Sequence, residues 1–305
     1  MQEVPSAMRA LAAILAFAVT AACVSEPTAP LQSGQALLFT SDRDGNVEIY
    51  AMHPDGGDPI RLTRNGATDF APLWSPDGKR VLFISSRAPG LNGSPTYEIF
   101  AMNSDGSGVM RLTTNDVLES SPSWSPDGTR ILYATMGSSS RIFVMNADGS
   151  NVVQLTNNAW ADSVPRWSPD GSRIAFLGSP LGWSWIFTVA PDGSDRIRVP
   201  TQIVGGIHSY SWAPDSRNIV YEYGEWPYGG IYRSVSMPTP GVTPVFLVGY
   251  ELFPGKPVWS PDGARIALTI SVSGDVEIYT MRASDGGDRR NITNNPSTDL
   301  ISDWK

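Results

Sequence analysis

Trp124-Ser125-Pro126-Asp127-Gly128 is one copy of a string that recurs as Trp74-Ser75-Pro76-Asp77-Gly78, Trp167-Ser168-Pro169-Asp170-Gly171 and Trp259-Ser260-Pro261-Asp262-Gly263. A looser copy reads Trp212-Ala213-Pro214-Asp215-Ser216, and a sixth tryptophan, Trp304, stands one residue from the end. A period of roughly 45 residues signals one supersecondary unit stacked many times. Around the first copy, Pro72-Leu73-Trp74 reads as a short strand and Ser75 to Gly78 as a turn. Proline presets one backbone angle, Asp bonds its own backbone, and glycine accepts positive φ. Arg80-Val81-Leu82-Phe83-Ile84 reads as a buried strand, and Tyr97 to Met102 as a third. Asp105-Gly106 is a hairpin turn leading into a fourth strand, Met110 to Thr113.

Four antiparallel strands, repeated radially, make a β-propeller blade. Second strands begin near Leu37, Val81, Ile131, Ile174, Ile219 and Ile266, which predicts an all-β, six-bladed propeller. The first blade has no innermost strand of its own at the N-terminal side. Leu300 to Trp304 supplies it, closing the ring and removing two sheet edges.

The net charge is −8. An acidic chain without a Lys/Arg cluster is a poor partner for nucleic acid. Residues 1–22 read as a secretory signal rather than a membrane span: Arg9, an apolar run from Ala10 to Val19, then Thr20-Ala21-Ala22. Glu3 and Pro5 are unusual there and leave Met8 as an alternative start. Cys23 is the sole cysteine, so no internal disulfide forms, and its setting resembles the lipobox of bacterial lipoproteins. That resemblance implies a lipid anchor of several acyl chains, enough for stable attachment. Val24 after the cysteine implies the outer membrane, facing the periplasm. Residues 23–34 then form the lipidated cysteine and a flexible tether, and 35–305 the propeller.

In an up-and-down blade, the first-to-second and third-to-fourth turns share one face of the ring. The second-to-third loops and the links between blades share the other. The repeated Pro-Asp-Gly and Asp-Gly turns occupy the first, here called the turn face. Everything irregular falls on the second, the loop face, where binding residues usually sit. Two features map there. Asp69, Glu119, Asp162 and Asp299 stand five residues before a repeat tryptophan, with Ile207 (next to His208) and Pro254 in the other blades. They form either local turn acceptors or an acidic ring at the channel mouth, holding a calcium ion or a basic peptide end. Trp160, Trp183, Trp185, Trp226 and Tyr228 lie outside the repeat positions, across adjacent blades 3 to 5, of which 4 and 5 depart most from the pattern. With His208 they are the expected partner-binding residues, since such aromatics dominate interface hot spots.

The Trp-Ser-Pro-Asp-Gly string, with Ser41 to Tyr50 (SDRDGNVEIY) and its echo Gly274 to Tyr279 (GDVEIY), resembles the TolB propeller domain over about Gln35 to Lys305. The resemblance implies a non-catalytic scaffold of the cell envelope that binds a protein or peptide, a Pal-like lipoprotein among the candidates. The TolB family carries an α/β domain before its propeller; the expectation here is a monomeric lipoprotein form without it. Enzyme readings are weak. Asp42, Asp44, Asn46 and Glu48 alternate like calcium ligands, but an EF-hand loop needs its glycine at position six, and Gly45 is fourth. The two histidines, His53 and His208, fall in different blades, and no Gly-x-Ser-x-Gly occurs. No cofactor is expected. The alternative is a glycan-binding or glycan-degrading propeller, with the loop-face aromatics stacking on sugar rings.

Overall fold

The computed structural model describes residues 36–57, 59–93, 96–137, 139–201, 206–224, 230–235, 243–249, 256–272, 275–294 and 296–304. They form six four-stranded antiparallel sheets arranged as blades around a ring. Blade 1 holds β1 (Leu37–Ser41), β2 (Glu48–Met52), β3 (Ile60–Arg61) and, innermost, β24 (Asp299–Trp304). Blade 2 is β4 (Asp69–Trp74), β5 (Arg80–Ser85), β6 (Glu98–Asn103) and β7 (Met110–Arg111). Blade 3 is β8 (Glu119–Trp124), β9 (Arg130–Thr135), β10 (Ile142–Asn146) and β11 (Val153–Gln154). Blade 4 is β12 (Asp162–Trp167), β13 (Ile174–Gly178), β14 (Trp185–Val189) and β15 (Ile197–Arg198). Blade 5 is β16 (Ile207–Trp212), β17 (Asn218–Tyr223), β18 (Gly230–Val235) and β19 (Val245–Gly249). Blade 6 is β20 (Val258–Trp259), β21 (Arg265–Val272), β22 (Asp275–Arg282) and β23 (Arg290–Asn291).

The expected closure is present. β24 pairs antiparallel with β1, with Leu37 opposite Trp304 and Ser41 opposite Asp299. Each innermost strand touches the next around the ring, and β24 touches both β20 and β4. The core lies between blades rather than within them. Trp74 packs with Leu38 and Ile49 of blade 1 as well as Phe83 of its own blade, and Trp212 with Ala175 and Ile186 of blade 4. Each such side chain stabilises the ring by about 1.5–3 kcal/mol through burial alone.

The turns explain the repeat string. Ser75 Oγ donates to Asp77 Oδ1 at 2.6 Å and accepts the Arg80 N–H at 2.9 Å, so serine and aspartate close the turn together. The Asp-Gly turns have a second reason for their glycine. A Cβ on Gly106 would lie 2.4 Å from the Leu62 carbonyl oxygen, so blade 2 rests its turn directly on the backbone of blade 1. Gly149 meets Leu112 in the same way one blade on.

Candidate functional site

On the loop face the four carboxylates begin the innermost strands β4, β8, β12 and β24 and are closed to solvent. Three are paired with arginine. Asp299 accepts Arg43 Nη2 at 2.8 Å, Asp69 accepts Arg87 Nη2 at 2.7 Å, and Asp162 accepts Arg196 Nη2 at 3.0 Å. The arginines are themselves held. In blades 1 and 2, Ser41 and Ser85 Oγ each accept the main-chain N–H and Nε of the arginine two residues on. Each guanidinium also sits over an aromatic pair: Phe39 and Tyr50 for Arg43, Phe83 and Phe100 for Arg87, and Phe176 and Phe187 for Arg196. Such contacts contribute about 0.5–2 kcal/mol each.

An inter-blade clasp completes this layer. Thr63, Thr113, Thr156 and Thr293 Oγ1 each accept an N–H from the third strand of their own blade. Two residues later, Asn65, Asn115 and Asn158 donate Nδ2 to the carboxylates Asp69, Glu119 and Asp162 of the next blade. The Thr-x-Asn-x-x-x-Asp/Glu spacing was visible in the sequence as Thr63 to Asp69, Thr113 to Glu119 and Thr156 to Asp162, and repeat reading focused on the tryptophans passed over it.

Glu119 is the exception. Among the described residues no arginine pairs with it; it accepts Thr113 Oγ1 at 2.8 Å and Asn115 Nδ2. Burial raises its pKa well above the usual carboxylate range, and the buried Glu98 beside it adds to the rise. Burial likewise raises Asp162, opposed by Arg196. Among the described residues, no three His, Cys, Asp or Glu side chains are grouped closely enough to hold a metal ion. Asp42, Asp44, Asn46 and Glu48 are not assembled as ligands: Asp44 accepts Tyr50 Oη, and Asn46 and Arg61 donate to Glu48.

The aromatic residues have separate surroundings. Trp160 is half-buried under the Arg196 guanidinium at 5.2 Å, and Trp185 lies under that of Arg198 at 4.3 Å. Trp183 is exposed, following the short 3₁₀ turn Pro180–Gly182. The exposed His208 ring has Nε2 3.2 Å from the Gly224 carbonyl. Trp226, Tyr228 and Cys23 lie outside the described residues. Trp183 is not the sole exposed apolar group of the loop face: Leu91, Val117, Leu118 and Met136 are exposed as well. Met136 N donates to the Leu118 carbonyl at 2.8 Å, and Asn92 N to Asp116 Oδ1 at 2.9 Å, so the loops of blades 2 and 3 present these groups side by side. Their signal in the sequence was apolar residues in irregular loops, a cue independent of tryptophan.

The turn face is not featureless. The half of the central channel next to the Ser-Pro-Asp-Gly turns is a chamber of about 400 Å³, walled by Trp74, Trp124, Trp167, Trp212 and Trp304. Arg166, Lys256 and Asp303 share its wall. Arg166 Nη1 donates to the carbonyls of Ser121, Pro122 and Pro165 at 2.9, 3.0 and 2.9 Å. Lys256 Nζ donates to the Ser302 carbonyl at 2.7 Å, and Asp303 Oδ2 accepts Trp74 N at 2.8 Å. Burial, reinforced by Arg166 and opposed by Asp303, pushes the Lys256 ammonium down to about 7. Kinked innermost strands supply these carbonyls: Ala71, Ser121 and Val164 sit at φ of 53°, 54° and 52°, where a β-branched valine is strained. The freed Val164 carbonyl accepts Tyr210 Oη at 2.6 Å. Sequence reading missed these groups, although the signal was there. Leu73, Ser123, Ser211 and Val258 precede their tryptophans, where Arg166 and Asp303 carry charge.

Residues 118–231 match the family model described as the TolB beta propeller domain. Over that stretch, in blades 3 to 5, the chain is similar to the TolB propeller domain. A stretch of 54 residues is 43% identical to the Tol-Pal system protein TolB of Desulfosudis oleivorans, covering 18% of this chain and 12% of that protein. The chain thus matches only about an eighth of that relative's length. The TolB-like ring also superposes on the crystal structure of TolB from Acinetobacter baumannii, with a TM-score of 0.75 at 18% identity, over 88% of this chain and 66% of the other. An oligogalacturonate lyase from Vibrio parahaemolyticus gives a TM-score of 0.59 at 14% identity, over 84% and 74%. At these identities the structural likenesses show the shared fold.

Proposed function

We propose that this TolB-like propeller is a non-catalytic scaffold of the bacterial envelope, held at the outer membrane through Cys23, that binds a protein partner with its loop face. The observation carrying this reading is the exposed apolar surface of Leu91, Val117, Leu118 and Met136 in the adjoining loops of blades 2 and 3, with Trp183 exposed on the same face in blade 4. Clustered exposed apolar side chains mark interaction sites on soluble domains. The match to a Tol-Pal system protein supports a partner of that class, a peptidoglycan-associated lipoprotein being the first to test. The wide separation of His53 and His208 in the sequence, on different blades, supports a role without histidine-based catalysis.

Calorimetry of the mature chain against a purified Pal-like lipoprotein tests the partner. Binding is expected, weakened roughly 30-fold or more by Met136→Asp or Trp183→Ala, the effect of losing a hot spot of about 2 kcal/mol. Binding indifferent to both substitutions would remove the loop face from the proposal. Saturable binding on a glycan array that depends on Trp183 and Trp185 would favour the carbohydrate alternative instead. For the anchor, Cys23→Ser is expected to move the protein from the membrane fraction to the soluble one; retention in the membrane would sink lipidation.

A further inference from the structure

The chamber on the turn face combines an apolar wall with an excess of cationic donors. Two cations, Arg166 and Lys256, face one carboxylate, Asp303, which is already engaged with Trp74 N. Arg166 spends Nη1 on three main-chain carbonyls, which fixes the guanidinium and leaves Nε and Nη2 as its remaining donors. Lys256 spends one bond on Ser302 and retains two N–H groups. Among the described residues the local surplus, with Lys256 protonated, is one positive charge, in a chain whose net charge is −8, so it is a feature of this chamber and not of the surface at large. The volume, about 400 Å³, falls within the range of small-molecule sites.

We infer that the channel chamber binds a single carboxylate carried on an apolar body, with Arg166 and Lys256 holding the carboxylate and the tryptophan wall holding the body. One surplus positive charge suits a monoanion; a phosphate dianion would leave negative charge uncompensated against Asp303. The planar guanidinium suits a carboxylate's two oxygens. The site lies on the face opposite the proposed partner surface and stands independently of it.

The test uses the whole mature chain and reads tryptophan fluorescence, confirmed by calorimetry, with benzoate, benzamide and a short N-acetylated peptide with a free C-terminal carboxylate. Benzoate or the peptide is expected to bind saturably, and benzamide about tenfold more weakly or not at all, a difference of about 1.4 kcal/mol. Which of the two carboxylates binds more tightly distinguishes a free small molecule from a chain end. Affinity is expected to fall between about pH 6 and pH 9 as Lys256, which faces Arg166, Tyr210 and Asp303, loses its proton, with Arg166 charged throughout. Lys256→Met should abolish that pH dependence and weaken binding. Because Arg166 ties blade 4 to carbonyls of blade 3, its conservative variant Arg166→Lys serves as the second probe, with folding checked by thermal unfolding. Equal binding of benzoate and benzamide, or carboxylate binding unaffected in Lys256→Met and Arg166→Lys, would overturn the proposal; so would the absence of saturable binding by any carboxylate.

Discussion

Blades 2 and 3 solve the same problem differently. In blade 2, Ser85-Ser86-Arg87 turns a guanidinium back over Phe83 and Phe100 to meet the buried Asp69. In blade 3 the corresponding residues are Thr135-Met136-Gly137, and Gly137 sits at φ 115°. An arginine there would carry a side chain into backbone space that suits glycine. The aromatic pair Tyr133 and Phe143 remains, ring centroids 5.5 Å apart, but nothing cationic covers it among the described residues. Blade 4 shows that the place matters more than the route: Arg196, entering from beside the outer strand, puts its guanidinium over Phe176 and Phe187 and reaches Asp162. A carboxylate that has a guanidinium is neutralised in place. Glu119, without one, has its charge disfavoured, and its loop is free to carry an exposed methionine.

The comparison can be broken in three ways. Deleting residues 300–305 removes most of β24 and separates Asp299 from its strand, so blade 1 loses both its innermost strand and the footing of Arg43. The expected result is loss of cooperative unfolding, with stability lowered by several kcal/mol; an unchanged melting temperature would refute closure by β24. Arg87→Met strands Asp69 without its cation while the methionine still fills space, and should cost about 3–5 kcal/mol in denaturant titration. A cost below about 1 kcal/mol would show that Asn65 alone suffices for Asp69.

Glu119→Gln probes the smaller effect, and its sign is opposite. The folded pKa of Glu119 lies above its ordinary 4.5, so the folded protein retains a proton that the unfolded chain has lost. Stability contributed by this group is therefore present at low pH and is lost as pH rises above about 4.5. Glutamine removes the charge, keeps one acceptor oxygen for Asn115 and turns its amide N–H toward Thr113 Oγ1, whose hydroxyl can accept instead. It should stabilise the protein by roughly 1 kcal/mol at neutral pH and by nothing at about pH 4, measured by unfolding at the two pH values. Destabilisation at neutral pH would mean that the Glu119 charge is matched by a partner.

Most of the ring was legible because the repeat encodes it redundantly. In the Trp74 copy the serine, aspartate and glycine are explained by bonds within the turn, and Trp304 marked the closing strand through its spacing alone. The candidate sites were less legible, for a physical reason. Asp69 and Asp162 were found by their offset from tryptophan, but whether a carboxylate is an open ligand or half of an ion pair depends on side chains such as Arg87 and Arg196, which reach it from unrelated offsets. The chamber cations escaped for the converse reason. Arg166 and Lys256 are single departures from a repeat, and a repeat is read by what it keeps.

The pairing of Leu37 with Trp304 also sets a clock. Blades 2 to 6 are each built from one continuous stretch of chain, so their strands can find one another as soon as they are made. Blade 1 cannot. Its second strand, among the first residues of the ring to emerge, waits for the last ones before its inner edge is covered, and Leu38 and Phe39, on opposite faces of that strand, wait with it. Closure of the ring is therefore the last pairing to become possible, a contact between the two most distant parts of the fold.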